Sequence, residues 1–104
     1  MNEDFSKATI NELLQRALQY HNAFKVREAI DFYEKILKIS PADPHAIHYL
    51  GVAYHQLDQN NLALKFLEMA VSLKPDSSEV FNHYGSALLK VQSFEAAERH
   101  FVKL

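Results

Sequence analysis

Apolar residues along this chain recur with the spacing of an amphipathic helix. In each of three successive segments, two runs carry apolar side chains at positions i, i+3, i+4 and i+7, with polar residues between them. Only two glycines and three prolines interrupt the 104 residues. The pattern therefore predicts an all-α fold that is built from pairs of antiparallel helices.

The same pattern repeats along the chain with a period of 34 residues. Small residues and prolines recur at that spacing: Ala29, Ala63 and Ala97; Gly51 and Gly85; Pro41 and Pro75. Such a period is typical of a solenoid, in which each helix pair packs against the next. We expect Ala17, Gly51 and Gly85 to face these alanines and to let the paired helices approach closely.

The middle segment carries the repeat most fully, as Ile47, Leu50, Gly51, Tyr54, Ala63, Leu67 and Pro75. These residues, at these offsets, resemble the tetratricopeptide repeat (TPR). The resemblance covers residues 10–104 and implies an α-solenoid of three antiparallel helix hairpins, at about 10–43, 44–77 and 78–104. The last hairpin would be incomplete, and residues 1–9 would form a polar segment before the array. The first two copies are also similar to the amino-terminal repeats of larger bacterial proteins.

Capping residues mark the predicted helix boundaries. Thr9 fits a capping box that starts the first helix, and Asp76 fits the start of the fifth. Asp43 stands before Pro44, which predicts an N-cap followed by proline in the first turn. These signals place the helix starts close to the repeat boundaries.

The turns inside the repeats depart from the family pattern. Where TPRs usually have a glycine that ends the first helix, this chain has Phe24, Asp58 and Gln92. We expect these turns to be less left-handed or more strained than usual. Phe24 is also expected to be an exposed apolar residue.

The two ends of the array differ in polarity. Arg16 occupies a position that is apolar or aromatic in the later copies, which suits a first repeat with nothing stacked before it. Phe94, Phe101 and Leu104 would lie uncovered at the other end, because no polar capping helix follows them. We therefore expect either a fragment of a longer protein, which we favour, or an end that another molecule covers.

Composition excludes several classes of function. The net charge is −2 and no basic stripe is present, which disfavours nucleic acid and anionic membranes as partners. No apolar run approaches the roughly 18 residues that span a bilayer. The chain lacks cysteine, a signal peptide and the common catalytic motifs, so we predict a cytoplasmic protein that is not itself an enzyme.

The resemblance implies a concave groove, lined by the first helix of each repeat, that binds a peptide or a partner helix. Carried onto this sequence, its residues are Asn11, Leu14, Leu18, His21, His45, His48, Val52, His55, Glu79, Asn82, Ser86 and Leu89. His48, His55 and Asn82 would be polar anchors between apolar contacts. The function that follows is protein binding, with no cofactor.

Two specialised roles of the family fit this groove poorly. TPRs that clamp the acidic carboxyl terminus of heat-shock chaperones use fixed cations, whereas Leu14, Leu18, Val52, Asn82 and Ser86 supply none. Sugar-transferase relatives use a ladder of asparagines, whereas Gln15, Tyr49 and His83 stand just before the small positions here. Neither role is predicted.

The groove histidines raise the question of a metal. His45, His48 and His55 share one helix face, but His48 and His55 lie about 10 Å apart along the axis, and that helix adds no carboxylate. We therefore predict no metal site. A further hypothesis is that groove histidines become charged below about pH 6.5 and strengthen the binding of acidic partners.

Two alternatives to a peptide-binding scaffold remain open. The chain could be a structural module that self-associates through the end near Phe101 and Leu104. It could also be the amino-terminal recruiting arm of a larger enzyme, such as a glycosyltransferase.

Overall fold

The computed structural model describes the backbone of residues 3–103 and the side chains of residues 6–98. Its elements are α1 (Glu3–Asn22), α2 (Val26–Ile39), α3 (Pro44–Gln56), α4 (Asn60–Leu73) and α5 (Ser78–Lys103). Consecutive helices pack against each other along the chain, and the described residues contain no strand. The predicted all-α fold of successively packed helices is confirmed.

Helix starts follow the capping signals only in part. The Ala46 N–H donates to the Asp43 carboxylate at 3.0 Å, which confirms the predicted start of α3. At α5, the Ser77 hydroxyl accepts from the Val80 N–H at 3.2 Å, so Ser77 caps this helix in place of Asp76. The start predicted at Thr9 is wrong, because α1 begins at Glu3 and crosses the expected boundary between residues 9 and 10.

The two turns that lack glycine are left-handed. Phe24 has φ 63° and Asp58 has φ 61°, a region that costs an L-residue about 1–2 kcal/mol. Each turn closes with a Schellman hydrogen bond, from Lys25 N–H to the Tyr20 carbonyl and from Gln59 N–H to the Tyr54 carbonyl, both 2.9 Å long. The expectation of a less left-handed turn is therefore wrong, whereas the alternative of a strained turn holds at both residues. Phe24 is 89% exposed, as predicted.

The third segment does not form the predicted hairpin. α5 continues through Gln92, where the turn was expected, and Ala97 is exposed instead of packed on Gly85. A Cβ atom built on Gly85 would meet no atom within 4 Å. Gln92 is a good helix former, and nothing on its amino-terminal side stops the helix. Residues 3–103 therefore form two hairpins followed by one long helix.

The small residues of the first two repeats do permit close packing. Ala17 and Ala29 are fully buried in one cluster with Tyr33 and Leu50. On α3, a Cβ atom at Gly51 would stand 2.7 Å from Leu67 Cγ on α4. The paired helices of each hairpin thus approach through contacts that only small residues allow.

The carboxyl-terminal end is only partly described. Phe94 is exposed, as the sequence predicts for an open end. The side chain of Phe101 and the whole of Leu104 lie outside the described residues. The self-association surface predicted near them therefore stays a prediction.

Candidate functional site

The first helices of the three repeats line one groove. Its volume is about 340 Å³, and its lining comes from α1, α3, α5 and the turn after α1: Leu18, His21, Asn22, Phe24, Tyr49, Val52, Gln56, Glu79 and His83. A larger cavity of about 520 Å³ is formed by α1 and the turn after it alone. The 340 Å³ groove is the cavity on which all three repeats converge.

A second cavity adjoins this groove. It has a volume of about 310 Å³ and is lined by Pro44, His45, His48, Tyr49, Lys74, Ser77, Glu79 and Val80. Tyr49 and Glu79 line both cavities. They therefore form the boundary between the two.

The twelve predicted groove residues divide between these surfaces. Leu18, His21, Val52 and Glu79 line the groove, while His45 and His48 line the second cavity. Leu14 packs against the core, and His55 is half-buried outside both cavities. The other predicted residues are exposed and line neither cavity: Asn11, Asn82, Ser86 and Leu89.

Several groove residues were not predicted. Tyr49 and His83 stand two residues before Gly51 and Gly85, so the repeat register carried the signal for both. Gln56 and Phe24 lie at or beyond the end of a first helix, where helical periodicity no longer indicates direction. Extending the predicted groove face to the last residue of each first helix and to the turn after it would have included Gln56 and Phe24.

His21 is part of a hydrogen-bonded chain that joins three helices. Its Nδ1 atom lies 2.7 Å from the Tyr33 hydroxyl, and its Nε2 atom lies 2.7 Å from Gln56 Oε1. The amide oxygen can only accept, so Nε2 donates to it and the Tyr33 hydroxyl donates to Nδ1. Burial raises the pKa of Tyr33, so this hydroxyl keeps its proton. His21 therefore fixes the groove wall across α1, α2 and α3.

His48 is not the open polar anchor that the sequence predicts. It is only 6% exposed, and its Nε2 atom lies 2.7 Å from His83 Nδ1 on α5. Burial lowers the pKa of His48, and the nearby His83 lowers it further. His48 thus connects α3 to α5, and the accessible ring at this place is that of His83.

His55 is covered by its surroundings rather than aimed at a ligand. Among the described residues, its Nδ1 atom is buried and has no hydrogen-bond partner. Burial lowers its pKa, and the positive charge of Lys90 lowers it further. Because His48 and His55 both resist protonation, any effect of their charge on partner binding is expected below pH 6.5.

We expect stability to fall as the medium is acidified. The folded state holds the pKa of His55 below its usual 6.5, so the unfolded chain binds more protons below that pH. The stabilisation is present above pH 6.5 and is lost as the pH falls through the lower, folded-state pKa. Urea denaturation at about pH 7.5, 6 and 5, in the presence of a chelator, measures this loss.

The matched variant is His55→Gln, which cannot titrate. Its free energy of unfolding should depend less on pH than that of the wild type. Equal pH dependence in the two proteins would show that His55 does not contribute.

The groove carries a negative fixed charge. Glu79 is a carboxylate at its edge, and no lysine or arginine is among the residues that line it. Its other polar groups are the amides Asn22 and Gln56 and the rings of His21 and His83. An acidic peptide terminus would therefore meet repulsion here and no cation to hold it.

The sequence profile described as "Psidin, N-terminal TPR repeats region" matches residues 6–104. The chain belongs to the tetratricopeptide repeat family. This confirms the resemblance seen in the repeat residues. The count of three TPRs holds only approximately, because the part of the chain that the structure describes forms five helices.

Two curated relatives contain a similar segment. One is the inactive peptidyl-prolyl cis-trans isomerase shutdown of Bombyx mori, 22% identical over 98 residues, which are 92% of this chain and 22% of that protein. The other is tetratricopeptide repeat protein 7B of Homo sapiens, 37% identical over 70 residues, which are 67% of this chain and 8% of that protein. The chain thus spans less than a quarter of either relative.

Solved structures share the fold. The C-terminal TPR domain of a Plasmodium falciparum FK506-binding protein is 27% identical with a TM-score of 0.83, over 88% of this chain and 60% of that one. An O-GlcNAc transferase of Thermobaculum terrenum is 26% identical with a TM-score of 0.80, over 85% and 16%. The first TPR of Spaghetti (RPAP3), bound to the HSP90 peptide SRMEEVD, is 25% identical with a TM-score of 0.77, over 88% and 73%.

Among the described residues, no helix has both the length and the apolar character that crossing a bilayer requires. The cytoplasmic location and the bacterial origin stay predictions from the sequence.

Proposed function

We propose that this TPR chain is a protein-interaction module that binds an extended peptide segment in the groove between α1, α3 and α5. The observation that carries the proposal is the 340 Å³ groove, in which Leu18 and Val52 offer apolar contacts beside the aromatic rings of Phe24 and Tyr49. Such a surface suits a preformed peptide site. The role of this chain is then binding rather than catalysis.

The charge of the groove sets the class of peptide. The related RPAP3 domain is bound to SRMEEVD, which carries three acidic side chains. The groove of this chain offers Glu79 and no lysine or arginine among its lining residues. Its partner is therefore an apolar segment that is neutral or carries lysine or arginine, because only these charges complement Glu79.

Selection from a random peptide library displayed on phage, in the presence of a chelator, tests this function. We expect the selected peptides to be rich in apolar and basic residues and poor in Asp and Glu, and we expect SRMEEVD not to bind. Val52→Asp, inside the groove, should lower the affinity for the tightest-binding selected peptide roughly ten-fold, because it replaces an apolar contact by a charge that the bound peptide would bury.

Leu89→Asp is the matched control. Leu89 was predicted as a groove residue, but it is 66% exposed and lies outside both cavities. Peptide affinity should be unchanged in this variant. If Leu89→Asp weakens binding and Val52→Asp does not, the peptide lies along the outer face of α5 instead. If no peptide is selected, the proposed function is wrong.

A second candidate function is that of a recruiting arm in a larger enzyme. The match to the O-GlcNAc transferase covers 85% of this chain but only 16% of that one. This supports the idea that a TPR segment like this chain can be a small part of a larger enzyme. Sequencing the open reading frame beyond Leu104 tests this candidate. A catalytic domain in frame would favour it, and a stop codon there would exclude it.

A further inference from the structure

Three potential metal ligands converge from two helices beside the groove. One ring nitrogen of His48 on α3, one ring nitrogen of His83 on α5 and a carboxylate oxygen of Glu79 lie within 4.8 Å of one another. Glu79 and His83 are four residues apart on α5, so they share one face of that helix. His48 completes the set from the opposite side, a contact that links residues 35 positions apart.

One nitrogen of the His48 ring and one nitrogen of the His83 ring are in direct contact. The nitrogens lie 2.7 Å apart, so the N–H of one ring donates a hydrogen bond to the nitrogen of the other. An ion with Zn–N bonds of about 2.0–2.1 Å in a tetrahedral site needs these nitrogens to be about 3.3 Å apart. A shift of roughly 0.6 Å is within reach of the half-buried His83 side chain, and the ion takes the place of the shared proton.

We infer that His48, Glu79 and His83 form a zinc site. Two imidazole nitrogens and one carboxylate oxygen are a ligand set that Zn²⁺ accepts, with a fourth position left for water. Glu79 is exposed and lines both cavities, so the fourth position faces solvent at the edge of the groove. The bound ion joins α3 to α5 and holds the second and third repeats together.

This site departs from the expectation of no metal drawn from the sequence. That expectation compared His45, His48 and His55, which belong to one helix, and found no carboxylate among their neighbours on it. The two additional ligands come from α5, which the superhelix places beside α3. Only the packing of the helices brings the three side chains together.

Calorimetric titration of the chelator-treated chain with zinc chloride alone tests the site. We expect saturable binding of one zinc per chain. Glu79→Gln and His83→Gln should each lower the affinity for zinc at least ten-fold, since each removes one of three ligands. Glu79 is exposed, so Glu79→Gln leaves the packing intact. Saturating zinc should raise the Tm of the wild type by roughly 5–10 °C and that of Glu79→Gln far less.

His45→Gln is the matched control, because His45 is an exposed histidine one turn before His48 and is not among the three ligands. It should bind zinc as the wild type does. The proposal is overturned if zinc does not bind at one per chain, or if His45→Gln loses as much affinity as Glu79→Gln. It does not rest on peptide binding, because zinc is the only ligand in this experiment.

Discussion

Replacing Gly51 by alanine is expected to lower the free energy of unfolding by roughly 1–2 kcal/mol. The new Cβ would stand 2.7 Å from Leu67 Cγ and 3.2 Å from the Leu67 backbone nitrogen. Leu67 is fully buried and Cγ is a branch point close to the backbone, so it cannot simply rotate away. Overpacking of this kind costs about 1–3 kcal/mol, against a gain of about 0.5–1 kcal/mol from removing a helical glycine.

Gly85→Ala is the matched control for this prediction. The equivalent position on α5 has no atom within 4 Å of a built Cβ, so only the gain in helix propensity remains. We expect it to stabilise the chain by about 0.5–1 kcal/mol. Urea or thermal denaturation of both variants measures the contrast, and a difference of 1 kcal/mol shifts Tm by roughly 4–8 °C in a domain of this size.

The contrast between the two glycines also tests the fold of the third segment. If α5 folded back at Gln92 into the predicted hairpin, Gly85 would be as crowded as Gly51 and both alanines would destabilise. Equal losses would therefore contradict the long helix. If Gly51→Ala is as harmless as Gly85→Ala, the close approach of α3 and α4 is wrong.

The fold could be predicted from the sequence where local and repeating signals agree. The small residues Ala17, Ala29 and Gly51 recur in register, and the helices they belong to do pack closely. At Gln92 the register predicted a turn, whereas local propensity favoured a helix. The helix continues there because, among the described residues, no further helix packs against this part of α5. After Phe24 and Asp58, by contrast, packing of the next helix compensates for the left-handed residue.

The candidate site could be predicted less completely, for a different reason. The register carried over from the repeat family places Leu18, Val52 and Glu79 on the inner face of their helices, and these three residues line the groove. It could not tell which inner residues a neighbouring helix covers. His48 is buried against His83 of α5, a contact that links positions 35 residues apart and that no pattern within α3 records.

Phe24 illustrates how a strained and exposed residue indicates function. It has φ 63°, and its ring is 89% exposed, so the folded state gains little from the side chain. A glycine would adopt this backbone at no steric cost. Strain of this kind is retained mainly at functional sites, and Phe24 lines the groove.

Phe24→Gly is therefore expected to stabilise the chain and to weaken the peptide binding proposed above. Relief of the left-handed strain, about 1–2 kcal/mol, exceeds the entropy cost of glycine, and the net gain should be about 0.5–1 kcal/mol. Loss of an aromatic anchor should weaken binding of the tightest-binding selected peptide by about 2 kcal/mol, which is a roughly 30-fold loss of affinity. Denaturation and fluorescence titration with a phage-selected peptide measure the two effects.

Phe24→Ala separates the two causes, because it removes the ring and keeps a left-handed residue with a Cβ atom. It should bind the peptide as weakly as Phe24→Gly does without becoming more stable than the wild type. If Phe24→Gly is more stable and still binds like the wild type, the ring has no part in binding. The groove would then be limited to the residues of α1, α3 and α5, and the strain at Phe24 would be a cost that no contact with the peptide offsets.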